Sequence, residues 1–126
     1  MKIKTSELSG KALDYAVAKC EGVGVRWSAP HEQLLRDGCS YMVWCPSRDW
    51  SIAGPIIERE WLDLTPWPNE SREDMRWHCQ QYDSSGDCGQ YGPTLLIAAM
   101  RCCVASKLGD EVEIPDVLRC TDSRAL

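Results

Sequence analysis

From Leu95 to Ala105 the chain reads Leu95, Leu96, Ile97, Ala98, Ala99, Met100, Arg101, Cys102, Cys103, Val104 and Ala105, with a single charge in the run. Pro93 or Thr94 suits the opening of a helix, Lys107 supplies the cation expected in a last turn, and Gly109 closes it. A surface helix shows one apolar stripe, whereas a helix apolar nearly all round must be covered on several sides. The rest of the fold therefore has to wrap this segment. The run Leu95–Met100 is far too short for a membrane span and is followed by Arg101, so the covering comes from protein.

A second helix is predicted over Gly10–Glu21, with Ser9 as N-cap and Gly22 just past the end. Its apolar positions Leu13, Ala16, Val17 and Cys20 share one face, and Lys11, Asp14 and Lys19 are expected mostly away from it. Strands are expected at Lys2–Lys4, Val23–Trp27, Ser40–Cys45, Met75–Gln81 and Glu111–Ile114. Pro30 to Asp37 reads as a short helix ending at Gly38. Pro46–Gly54, Thr65–Asp74 and Asp83–Gly92 read as loops from their turn residues. Pro55–Glu60 reads as one or two helical turns leading into Leu62–Leu64, and the polar end from Thr121 to Leu126 as frayed. With 126 residues, residues 1–126 form one domain, and the fold class is α+β, with two main helices packed on a small, mostly antiparallel sheet.

Composition excludes several classes of function. A net charge of −5 with no basic tract argues against duplex nucleic acid as a partner. The first residues, Met1-Lys2-Ile3-Lys4-Thr5, contain no apolar run of signal-peptide length, so a cytoplasmic setting without a membrane is expected. There the eight Cys stay reduced and act as small buried apolar groups. No C-x-x-C pair is present, and the spacings of His78, Cys79, Cys88, Cys39 and Cys45 match no usual ligand set, so no metal is expected. His31 sits in a polar stretch. His78 and Cys79 are neighbours on a strand and point to opposite faces. Glu58 and Glu60 do not share a helix face. Gly22-x-Gly24 alone is no phosphate loop. No spacing assembles a base, nucleophile and oxyanion site, so neither catalysis nor a cofactor is expected.

What stands out instead is Arg101. A guanidinium on a buried helix needs a carboxylate, an array of carbonyls or an anionic ligand. An ion pair with an acid such as Glu58, a snorkelling side chain, or an anion contact would each meet that need. Aromatic bulk is carried by six Trp and four Tyr, with no Phe. Arg26-Trp27 and Arg76-Trp77 place Trp on one face of a strand and Arg on the other, and Trp50 precedes Arg59. If an Arg-bearing face met Trp50 or the Tyr91-Gly92-Pro93-Thr94 turn, rings and guanidinium groups would suit a nucleotide, and the helix start at Thr94 would add N–H donors. The alternative is that Arg26 and Arg76 are solvent-facing residues over a Trp-filled core. The candidate ligand-binding set is Trp50, Arg59, Tyr91, Thr94, Arg101, Arg26 and Arg76.

Three stretches resemble the NinX-like phage protein family. They are Met1–Leu8 with Leu13–Gly22, Asp49-Trp50 with Gly54–Glu60, and Tyr91–Arg101 with Val104–Glu113. The resemblance implies a phage-encoded protein acting in the bacterial cytoplasm, in a family without an assigned activity, so no catalytic residue is carried over. With that setting, the residues point to non-catalytic binding of a small anionic, nucleotide-like ligand, concretely the sequestration of a host defence signal. A protein–protein interaction module acting on a host or phage protein, or as a homo-oligomer, is the alternative, because Trp and Arg also anchor interfaces.

Overall fold

The computed structural model describes residues 1–38, 42–67, 73–81 and 89–118, with the exception of the Asp74 side chain. At its centre is the helix Leu95–Leu108 (α3), whose residues Leu96 and Ala98 through Val104 are buried. Thr94 caps it, its hydroxyl accepting from the Ile97 N–H at 3.2 Å, and Gly109 ends it at φ 91°. The helix Gly10–Glu21 (α1) packs beside α3 and stops at Gly22, which takes the left-handed conformation at φ 67°. A third helix, Trp50–Glu60 (α2), lies against α3.

Strands are distributed over three antiparallel sheets. Lys2–Lys4 (β1) pairs with Glu111–Glu113 (β7), with Ile3 opposite Val112. Val25–Ser28 (β2) and Gln33–Arg36 (β3) form a hairpin with Trp27 opposite Leu34. Leu62–Pro66 (β4), Trp77–Gln81 (β5) and Gln90–Gly92 (β6) make a three-stranded sheet in that order. Its inner face carries Leu62, Leu64, Trp77 and the fully buried Cys79 toward α3, and its outer face carries Thr65, His78 and Tyr91 in one row. Among the described residues no helix is long and apolar enough to cross a membrane.

The α+β class is therefore seen, with a different arrangement from two helices on one sheet: among the described residues α1, α2 and α3 share the core with three small sheets, and Leu118 adds to it from a further helical turn. The expected helix at Pro30–Asp37 is a strand. Ala29 and Pro30 enter a turn in which Glu32 takes φ 50°, and the returning strand buries Leu34 and Leu35. Burial of those two leucines outweighs the helix-start signal of the proline. The Pro46–Gly54 loop is also shorter than expected. Asp49 caps α2 by accepting from the Ser51 N–H at 2.9 Å, so the helix starts at Trp50 and carries Pro55 inside it. Pro55 is exposed there, which leaves the carbonyl that its missing N–H would have bonded open to water. Gln90–Gly92 pairs as a strand where a loop was expected, and Val43 forms an isolated bridge with Leu35. The expectations for residues 39–41, 68–72, 82–88 and 121–126 fall outside the described residues.

Gly92 closes β6 against the first turn of α3. A Cβ there would stand 2.6 Å from the Ala98 amide nitrogen and 3.0 Å from its Cα, both backbone atoms that cannot turn aside. Gly92→Ala is accordingly expected to destabilise the protein by about 1–3 kcal/mol through overpacking, visible as a lower midpoint in urea unfolding at unchanged slope.

Candidate functional site

Arg101 is buried, as its place on α3 requires, and main-chain carbonyls hold it. Its Nε donates to the Leu8 carbonyl at 2.7 Å and its Nη1 to the Tyr91 carbonyl at 2.7 Å. Leu8 precedes α1 and Tyr91 lies in β6, so one guanidinium stitches the α1 entry and the sheet onto α3. Glu58, a candidate partner in the sequence, lies exposed on α2. Arg101 also lines a cleft of about 330 Å³ with Ser6, Glu7, Met75, Gln90 and Tyr91. On the outer face of the sheet, the Tyr91 ring lies 4.7 Å from the His78 ring and 5.8 Å, edge-on, from Trp67.

The remaining sequence candidates do not join this cleft. Arg59 is the hub of an ion network between helices. It grips Glu21 of α1 with two bonds of 2.8 and 2.6 Å, and bonds Glu60 at 2.9 Å, while Lys107 of α3 lies 3.4 Å from the same Glu60 oxygen. These partners hold the Glu60 carboxyl below its usual range and the Arg59 guanidinium above its own. Arg26 is exposed and pairs with Asp37 at 3.4 Å, and Arg76 is exposed and pairs with Glu73 at 3.4 Å. These are solvent-facing residues beside half-buried Trp27 and Trp77, as strand alternation alone would give. Trp50 is 57% exposed at the start of α2. Thr94 lines a different pocket.

That second pocket contains the residue that sequence reasoning missed. Asp14 was expected away from the apolar face of α1, yet it is only 3% exposed. The face is wider than the heptad-like positions implied, because Ala12, Ala16 and Ala18 are buried together with Leu13 and Val17. The small residues that widen it were the available signal. Asp14 accepts from the Ser47 N–H at 2.8 Å, and its carbonyl accepts from the Trp44 indole N–H at 2.9 Å. Burial pushes its carboxyl up to about 7, against the lowering effects of the Ser47 bonds and of Arg48 and Lys11. The pocket holds about 300 Å³ between α1, the 43–48 segment and the start of α3, walled by Leu34, Val43, Trp44 and Ile97.

The thiols follow their burial. Cys79, Cys102 and Cys103 are fully buried, and Cys20 and Cys45 are partly exposed, none of the five in a disulfide. The Cys20 thiol of α1 and the Cys103 thiol of α3 act on one another, which lowers the Cys20 thiol and raises that of Cys103. Among the described residues no three His, Cys, Asp or Glu side chains are grouped to hold a metal ion.

Among its described residues this small α+β protein has clefts at Arg101 and at Asp14. The chain belongs to the family described as Bacteriophage P22, NinX, whose model matches residues 4–107. Comparison with curated proteins gives no match.

Because Asp14 binds its proton more tightly folded than unfolded, the folded chain holds more protons between pH 3.8 and about 7. Stability from this group is present below that window and lost as pH rises through it. Asp14→Asn removes the dependence. The stability gap between Asp14→Asn and the parent should shift in favour of the variant by up to roughly 4 kcal/mol between acid and mildly alkaline buffer. Urea unfolding of both proteins across that range measures it, and parallel pH profiles would refute the assignment.

Proposed function

We propose that this phage protein is a non-catalytic binding protein for a small anionic ligand of nucleotide-like character, held in the Arg101 cleft. The observation that carries the reading is the guanidinium itself, fixed at Nε and Nη1 by two carbonyls and lining a cleft of about 330 Å³. A cation oriented before the ligand arrives loses little freedom on binding. Ser6 and Gln90 supply further donors in the lining, and Glu7 adds a negative charge that selects against a highly charged anion. Of the seven residues read from the sequence, Arg101 and Tyr91 stay with this site. Capture of a host signal by a phage is the biological form this activity would take, in a bacterial cytoplasm.

Thermal unfolding in the presence of inorganic phosphate, mononucleotides and cyclic nucleotides tests the reading. A ligand at a hundredfold excess over its Kd should raise Tm by on the order of 10 °C, and Arg101→Lys should reduce the effect. No shift with any of the three classes at millimolar concentration would dispose of it.

A protein partner is the second reading, favoured by one observation: Trp50 and Trp61, at the two ends of α2, are 57% and 65% exposed. Exposed tryptophans are the side chains that most often anchor an interface. Sedimentation velocity across a concentration series should then show self-association that Trp50→Ala with Trp61→Ala abolishes. A monomer at all concentrations that captures nothing from infected-cell extract would count against it.

A further inference from the structure

The Asp14 pocket is separate from the Arg101 cleft, sharing no lining residue with it. Its polar wall is the Asp14–Ser47 pair, in which one carboxyl oxygen accepts the Ser47 N–H at 2.8 Å. A carboxylate offers about four lone-pair sites, so donors from Ser47 alone leave acceptor capacity in a group that burial has removed from water. Removing a charged group from water without saturating its hydrogen bonds is costly, and the pocket gives that cost a use. The other walls are Leu34, Val43, Ile97 and the indole of Trp44, which is itself fixed by its bond to the Asp14 carbonyl.

We infer that this pocket binds an uncharged planar heterocycle by an N–H donor set against the Asp14 carboxylate. Charge, shape and size each narrow the ligand. Lys11 faces the carboxyl from its own helix, and Arg48 and Cys45 face it from the 43–48 segment, while β3 and α3 present only Gln33, Leu34, Thr94 and Ile97. The two cations oppose a cationic ligand, and the carboxylate opposes an anionic one. The apolar walls favour a flat ring, and about 300 Å³ accommodates one of one or two fused rings. The Thr94 hydroxyl at the pocket wall already accepts from the Ile97 N–H.

Benzimidazole, which carries one ring N–H and is neutral in mildly alkaline buffer, is the probe, with 1-methylbenzimidazole as the partner lacking that N–H. The titration is followed by amide and indole N–H NMR signals at about pH 8, where a carboxyl titrating near 7 is mostly ionised. Benzimidazole should give saturable shifts at the Trp44 indole and the Ser47 amide. The methylated compound, and benzimidazole with Asp14→Asn, should bind at least about tenfold more weakly. The proposal is overturned by no saturable shift at low-millimolar benzimidazole, or by equal affinity for the methylated compound or for Asp14→Asn. Should Asp14→Asn fail to fold, Val43→Phe fills the pocket and leaves the carboxyl in place, and undiminished binding to it overturns the proposal equally. Shifts confined to Gln90 and Tyr91 would place the probe in the Arg101 cleft, again against the inference, whereas the nucleotide reading stands or falls on its own ligands.

Discussion

Helix α3 is buried over most of its length, and the placement of the other elements follows from covering it. The sheet β4–β5–β6 lies on one side, α1 on another, and α2 completes the enclosure. Within that enclosure a guanidinium would be expensive if it were merely buried. Its bonds to Leu8 and Tyr91 turn it into a joint between segments more than eighty residues apart in sequence, and the Leu8 carbonyl would otherwise be left as an acceptor inside the core. The same joint leaves the guanidinium at the wall of a cleft, so a residue that organises the core also lines a cavity.

The two pockets differ in the physical state of their charges. In the Arg101 cleft the cation is permanent, because guanidinium does not release its proton in the physiological range. In the Asp14 pocket the charge is conditional, since a carboxyl near 7 is divided between its two forms around neutrality. Away from both, the Arg59 network balances two cations against two carboxylates across three helices and fixes how α1, α2 and α3 meet. Its bidentate grip on Glu21 gives Arg59 a part in the architecture.

Periodicity made the two long helices legible, with their caps at Thr94 and Gly22, because each carries a long apolar pattern closed by a glycine. The strands at β1, β2, β5 and β7 could be read from alternation and neighbouring turn residues. Strand β3, and with it the hairpin, could not, since Gln33–Arg36 has no alternating pattern and Pro30 serves a helix start and a turn equally well. The start of α2 was hidden by Gly54-Pro55, whereas the informative residue was Asp49, which caps by a side-chain bond that only the fold reveals. For the site, Arg101 could be found as a lone charge in an apolar run. Its carbonyl partners come from distant segments and leave no mark in the local sequence. Asp14 looked like an ordinary surface acid because nothing in the sequence shows that Trp44 and Ser47 close over it.

The sheet formed by β1 and β7 joins Lys2 to Glu113 and Lys4 to Glu111, so its two strands come from opposite ends of the described chain. Its consequence lies in the order of synthesis. Strand β1 leaves the ribosome well ahead of β7, its partner, and at translation rates of about 5–20 residues per second it waits on the order of 5–20 s. During that interval the edge of β1 is open, and the lysines at positions 2 and 4 are the residues that keep such an edge from pairing with another chain. Closing a loop of this span adds little to its entropic cost relative to a shorter one, because that cost grows only with the logarithm of length. The delay is therefore kinetic, and the charge carried by β1 suits it to the wait.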